Sequence, residues 1–436
     1  MDKAMENLKA LCFGILIYSF FIFLPAAAQS FGRDAEAITP NSFSGTDSER
    51  IRQAIHAARG TANLVRIPRQ NANGTFVWKV DEAILLPSDM TVILDNCTIQ
   101  LSDSCRDNMF RSDNVGAGIE NPGWNRNIHL VGIGKVVLKG AANPRATGDG
   151  ARQLTLDPDS ERKKGNWRVS YGSDAAKPDR KQTGDWRNIM ILIAQVDGFS
   201  LTNVRIENSH AWAVSFERTH NVDLSDISLY NPEEIEIAGK KVKVFNKDGI
   251  DLRQGCKNFR IHHISGFTGD DFIALSSLNT RPALNPVNGS LRSTMVTRSR
   301  WYGPEDDTEQ IFISDINCES ICRAVAIRAS DSASIHHVYI EGLISKEIKG
   351  QGGRHNALLI GGKGYGELSQ PGKLNNIYAM NIMTNGHSAV MIEAPAADCH
   401  FMNILYSGHE KEIVHYAMDR SEMKNITEVN LRKVNE

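Results

Sequence analysis

The chain has 436 residues, enough for one large or two ordinary domains, and 41% of them are hydrophobic, ample for a core. A formal charge of −2 and the lack of a dense Lys/Arg block speak against a nucleic-acid partner. Charged residues at 23% fit an ordinary globular chain rather than a disordered or fibrous one.

Residues 1–28 read as a secretory signal peptide. Lys3 and Lys9 precede an apolar run from Leu11 to Leu24, and Pro25 with Ala26, Ala27 and Ala28 supplies a small-residue cleavage site before Gln29. The run is short for a span, which takes ~20 residues, so the mature chain is expected to have no membrane span and to be secreted or periplasmic. Residues 29–436 are then expected to form a single domain. Six cysteines remain after cleavage: Cys97, Cys105, Cys256, Cys318, Cys322 and Cys399. Export permits disulfides within 97/105 or 318/322, and buried free thiols fit equally well.

Residues 43–59 begin with a helix signal. Thr46 or Asp47 can cap it, and Ile51, Ala54, Ile55 and Ala58 recur at helical spacing, so a short amphipathic helix closing one end of the domain is expected. From Leu64 the pattern turns to short β runs at 64–68, 75–80, 90–94, 98–101, 128–131 and 135–138, separated by Gly, Asn, Asp and Pro. Residues 141–187 are polar and Gly-rich, and read as a long surface loop carrying Trp167, Tyr171 and Trp186.

A repeat then becomes explicit. After Phe199, Val222, Phe259, Ile311, Ala333, Ile377 and Cys399, the chain places apolar residues two and five on and a polar residue four on. The polar residues are Asn203, Asp226, His263, Asp315, His337, Asn381 and Asn403. The anchors are 23, 37, 52, 22, 44 and 22 residues apart, which reads as a period near 22 lengthened by insertions, the longest at 279–308. A second β run follows in each repeat, at 212–216, 250–252, 272–275, 324–327, 358–360 and 390–392. Short strands on a fixed period with no helical pattern predict an all-β parallel β-helix. An antiparallel sandwich is the alternative, but it would not hold residues one period apart in register.

That register stacks polar residues along one edge. Asp248 and Asp270 are 22 residues apart, and coils in a β-helix lie ~4.8 Å apart, so Asp248, Asp270 and Asp271 converge. The same edge carries His210, Arg323, His355 and His387. Clustered carboxylates raise one another's pKa and leave one protonated beside others ionised. Glycosidic hydrolysis needs one acid on the leaving oxygen and one carboxylate to activate water or attack. A lone Gly-Asp-Asp would be an ordinary turn, whereas two acidic corners in register, one doubled, point to catalysis. His262/His263 and His336/His337 lie within strands, where neighbours face opposite ways, and read as ladder or surface residues rather than a metal site.

Asn246-Lys247-Asp248-Gly249-Ile250-Asp251, followed by Gly269-Asp270-Asp271, resembles the N-x-D-G-I-D…G-D-D pattern of the polygalacturonases of glycoside hydrolase family 28. Asn208-Ser209-His210-Ala211-Trp212 is similar to that family's N-S-P-x-W-like segment. The resemblance implies a right-handed parallel β-helix and inverting hydrolysis, with Asp270 as general acid, Asp248 and Asp271 holding the water, and Asn246 positioning the group. It implies no cofactor. The family's next two coils carry G-H-G and R-I-K, whereas this chain has Cys322-Arg323-Ala324 and Asn356-Ala357-Leu358 there. Arg323, with Lys247 and Arg354, is a candidate for gripping an acidic sugar, since guanidinium binds carboxylate bidentately. His210 and His355 are further candidate substrate contacts. Trp301, with Tyr302, offers aromatic faces for sugar stacking from the 279–308 insertion. The expected activity is glycoside hydrolysis of an acidic or pectin-type polysaccharide or its oligosaccharides, by a monomer. A polysaccharide lyase using Lys247 or Arg323 as base, or a non-catalytic carbohydrate-binding β-helix, stays open.

Overall fold

Parallel strands wound coil upon coil make up most of the regular structure in the computed structural model. It describes residues 37–105, 107–116, 119, 121–142, 168–169, 186–237, 240–244, 246–278, 295–297, 301–348, 355–362 and 368–434. The leader at 1–28, most of 141–187, much of 279–308 and Arg354 lie outside the described residues. Described residues from Ile38 onward belong to one compact unit, Ile38–Glu436.

The helix Asp47–Ala58 starts on a capping box. Glu49 N–H donates to the Thr46 hydroxyl, and Thr46 N–H donates to the Glu49 carboxylate. These two bonds satisfy backbone donors that a helix start leaves orphaned. Ile51, Ala54, Ile55 and Ala58 bury into the same core as Val65 and Trp78 of the first coils.

Each later coil has two strands. A long one, such as Val196–Glu207, His220–Asn231, Lys257–Thr268 or Thr308–Ser320, belongs to one sheet. A short one, such as Val214–Glu217, Ile250–Leu252, Ile273–Ser277 or Arg323–Ala329, belongs to the other. Every successive pair within these two sheets is parallel, which demands a crossover through the other sheet and the right-handed winding that such crossovers adopt. The anchors Phe199, Val222, Phe259 and Ile311 sit opposite one another and point into the core. On the outer face of the long-strand sheet, Phe312, Tyr339, Tyr378 and His400 stack ring on ring at 4.9, 5.1 and 4.9 Å, a direct display of the register.

The polar residue four past each anchor has a backbone cause. Asn203, Asp226, His263, Asp315, Asn381 and Asn403 all have positive φ, near 55°. They kink the long strand, and Asn and Asp tolerate that left-handed conformation best among non-glycine residues. A second kink precedes most anchors, at Asn221, Asn258, Gln310, Asn376 and Asp398.

This pattern corrects the fifth repeat. Ile311 pairs with Val338, and Val338 with Ile377, so the anchor there is Val338 rather than Ala333. His337 (φ 55°) is the kink before the anchor, and Gly342 (φ 71°) takes the later one. The coils vary in length rather than repeating at 22 residues. The kinks also break side-chain alternation. His262 Nδ1 lies 3.2 Å from His263 Nδ1, and His336 Nδ1 lies 2.7 Å from His337 Nδ1, so each pair is side by side rather than on opposite faces. All six described cysteines are free thiols.

Candidate active site

The corner between the long and the short strands gathers the carboxylates. Gly249 N–H donates to Asp271 O, Ile250 N–H to Phe272 O, and Ala213 N–H to Asp248 O. The sheet register thus sets Trp212, Asp248, Asp271 and Arg323 side by side on four successive coils, with Lys247, Asp270 and Cys322 one residue behind. His210 aligns with Asn246, one step further back than Asp270 and two further back than Asp248 and Asp271. Two glycines allow the coils to close up here. A Cβ on Gly249 would sit 2.4 Å from Phe272 O, and one on Gly269 would sit 2.3 Å from Glu233 N.

The Asp271 backbone N–H donates to Asp270 Oδ1 at 3.1 Å and to Asp248 Oδ1 at 3.2 Å, knotting the three residues. Asp271 receives two guanidinium groups, Arg323 Nη1 at 3.3 Å and Arg328 Nη2 in a short buried contact. Asp248 and Asp271 are buried, and Asp270 is half-buried. Burial, then the Asp271 charge, pushes the Asp270 carboxyl up to about 6. Burial, then Asp270, holds Asp248 well above the usual carboxylate range. A carboxyl that keeps its proton to about pH 6, beside two others, is what a general acid requires.

Behind the triad runs a buried charged row that the sequence reading passed over. Asp251 is buried, and burial holds its carboxyl high against the opposing pull of Arg253. Arg253 stacks on Trp212, 5.1 Å from the ring centre. Glu217 accepts from the backbone of Val296 and Thr297, both at 2.9 Å, and from the Thr297 hydroxyl, tying the long insertion to the short-strand sheet. The signal for this row was available: Glu217, Asp251, Arg253 and Arg328 are charged residues within or at the end of short buried strands, and charges are almost never fully buried without partners.

Several expected substrate contacts lie inside the wall instead. Lys247 is fully buried and its ammonium donates to Ser209 O. Burial lowers its pKa to about 7. His210 is buried and its Nε2 accepts the Ala141 N–H at 3.1 Å, while burial and Lys247 lower it to about 3. His355 is buried against Ser345, 3.2 Å away, and burial lowers it to about 4. All three turn under the neighbouring coil, which a corner position in sequence does not reveal. Asn246 is half-buried with φ 55°, turning the chain into the aspartate corner. Trp301 lies at the opposite corner, where the chain enters Thr308–Ser320. Its indole donates to Asp307 at 2.8 Å, and Lys373 sits 5.3 Å from its ring centre. Arg323 keeps its place beside the triad, with about a quarter of its side chain exposed. Further along the edge, His387 Nε2 pairs with Glu410 at 3.0 Å.

Residues 114–285 match the model of glycosyl hydrolases family 28, a segment that contains Asp248, Asp270 and Asp271 and stops before Cys322, Arg323 and Arg328. Among solved structures the chain is similar to a polygalacturonase from Erwinia carotovora ssp. carotovora, at 14% identity over 92% of this chain and 95% of that one, with a TM-score of 0.53. It is also similar to a tailspike protein of E. coli bacteriophage HK620 solved with a pentasaccharide, at 10% identity over 87% and 64%, with a TM-score of 0.53. A family 28 exopolygalacturonase from Yersinia enterocolitica aligns at 15% identity over 90% and 77%, with a TM-score of 0.45. No curated protein sequence matches. The two likenesses with a TM-score of 0.53 show the right-handed parallel β-helix. The family match over the aspartate coils marks a glycoside hydrolase. More particularly, the matched family 28 segment covers the central coils and carries all three aspartates.

Proposed function

We propose that the protein hydrolyses glycosidic bonds in a pectin-type, acidic polysaccharide or its oligosaccharides, with Asp270 as the general acid. The observation that carries this reading is the half-buried Asp270 carboxyl, protonated to about pH 6, knotted through the Asp271 N–H to Asp248. Asp270 gives its proton to the leaving oxygen, and Asp248 and Asp271 orient the attacking water. The family match over these coils supports the class of reaction, and the polygalacturonase likeness suggests the class of substrate.

Two features bear on stereochemistry and pull in opposite directions. The nearest carboxylate oxygens of Asp270 and Asp271 lie within 4.8 Å. That is closer to the ~5–5.5 Å spacing of retaining enzymes than to the ~6.5–9.5 Å of inverting ones. Against it, Arg323 and Arg328 both hold Asp271, and a carboxylate held by two guanidinium groups is a poor nucleophile. The second argument concerns the reacting group itself, so we favour inversion. The lyase alternative loses one of its bases, since Lys247 is buried against Ser209 O.

The test is reducing-sugar release from a panel of pectic and other acidic polysaccharides, with ultraviolet absorbance followed alongside. Asp270→Asn should lower the rate by roughly 10²–10⁴-fold, the share a general acid supplies. NMR of the first product should show the anomer opposite to that of the substrate. Absorbance growing with the new ends would make the protein a lyase. An unchanged rate in Asp270→Asn would remove Asp270 from the chemistry.

A further inference from the structure

Cys322 stands out among the thiols. Of the six described cysteines the other five are buried, and Cys322 alone is partly open. It occupies the coil directly beside Asp270, and its Sγ lies within 4.8 Å of carboxylate oxygens of both Asp270 and Asp271. Among the described residues, no other trio of His, Cys, Asp or Glu lies close enough to share an ion. A metal would need a thiolate there, and burial with the two neighbouring carboxylates pushes the Cys322 thiol strongly up. The thiol therefore keeps its hydrogen and stands within 4.8 Å of the Asp270 carboxylate, where an S–H donor favours the ionised form of the acid.

The backbone around this thiol is held by design of the corner. The buried Ser320 hydroxyl contacts Asp270 O at 2.8 Å and Arg323 O at 3.1 Å, and it accepts the Cys322 N–H at 3.1 Å. On the far side, Asn356 N–H donates to Cys322 O at 3.1 Å. One hydroxyl thus ties Asp270 to the segment that carries the thiol, so Sγ has a fixed place against the carboxyl.

We propose that Cys322 is a positioning residue for Asp270: its S–H fixes the rotamer of the acid and stabilises the carboxylate left after the proton has gone to the leaving oxygen. The step balances. The proton moves from Asp270 to the glycosidic oxygen, the bonding pair leaves with that oxygen, and the thiol keeps its own hydrogen throughout. No oxidant or metal takes part. The inference rests on the hydrolase reading above, and adds that the acid of this chain is served by a sulfur donor on the next coil.

The experiment compares wild type, Cys322→Ala and Cys322→Ser on the substrate found in the panel, over a pH series, with thermal melts as a folding control. Loss of one hydrogen bond to a charged group should lower kcat on the order of tenfold, with KM nearly constant. The alkaline limb of the rate profile should move upward in Cys322→Ala, because the donor that favoured ionised Asp270 is gone. Cys322→Ser should recover part of both effects. A folded Cys322→Ala variant with the kcat and pH limb of wild type overturns the proposal. Carbon-13 NMR titration of the Asp270 carboxyl, assigned with Asp270→Asn, needs no turnover. An upward shift in Cys322→Ala supports the thiol contact even if no polysaccharide is cleaved, and an unmoved titration sinks it. Failure of the hydrolase reading is seen separately, as equal activity in wild type and Asp270→Asn.

Discussion

Two columns of charged residues run along this β-helix, and only one has the makings of an active site. On the long-strand sheet, His263 lies between Asp226 and Asp315, 3.6 Å from each. At the corner before the short strands, Asp270 lies beside Asp248 and Asp271. Both columns arise from the same cause, since parallel register sets equivalent residues one coil apart. The difference is water. His263, Asp226 and Asp315 have side chains 56–65% exposed, whereas Asp271 is 2% exposed. Solvent screens the first column to near neutrality. In the second, burial shifts Asp248, Asp251 and Asp270 together and makes each remaining partner count. Stacked acids are thus a by-product of the fold, and a site is recognised by dryness and by cross-links between coils.

The largest effect expected from breaking this contrast lies at Arg328. Its guanidinium and the Asp271 carboxylate are both at least 95% buried. Arg328→Met leaves a buried carboxylate with only the weaker 3.3 Å contact to Arg323. Removing one partner of a buried pair costs about 3–5 kcal/mol, to be read from urea unfolding. Asp271→Asn in the Arg328→Met background should recover much of that stability, because the uncompensated charge goes. A loss no larger than that of a surface substitution would mean that the corner is wetter than its burial implies.

A middle-sized effect sharpens the same point from inside the wall. Lys247 is fully buried with a pKa lowered to about 7. Between pH 7 and its ordinary value near 10.5, the unfolded chain holds this proton and the native chain does not. Stability must therefore rise with pH across that window, and the full cost of burying the ammonium is present below pH 7. Lys247→Met should raise the melting temperature at pH 6 by roughly 2–5 °C, with the gain shrinking towards pH 10. A pH-independent gain would place the effect in packing alone.

The sequence made the fold and the acidic core of the site readable for physical reasons. All six early β runs recur as strands, among them Leu64–Ile67, Thr98–Leu101 and Val137–Lys139, because Gly, Asn and Pro punctuate them. Asp248, Asp270 and Asp271 could be brought together because their glycines and apolar flanks repeat. What escaped was direction. Lys247, His210 and His355 share the corner with the aspartates, yet their side chains turn beneath a neighbouring coil. Arg328 was passed over because it closes a strand that reads as apolar, RAVAIRA, and its partner lies on another coil. The fifth repeat slipped by five residues, since His336-His337-Val338 fits the kink pattern at either of two places until hydrogen bonding decides.

The smallest effect should come from the exposed column. His263→Asn removes two 3.6 Å contacts that water already screens, so stability should change by less than about 0.5 kcal/mol. The kink at His263 favours residues that tolerate positive φ, and alanine does so poorly, so His263→Asn is the cleaner replacement. If His263→Asn is neutral while His263→Ala costs more, the histidine is there for its backbone, as Asn203, Asp226 and Asp315 are at the same place on other coils. A marked fall in polysaccharide cleavage in His263→Asn, with unchanged unfolding, would mean that the long-strand column touches substrate and that dryness is a poor guide to function in this fold.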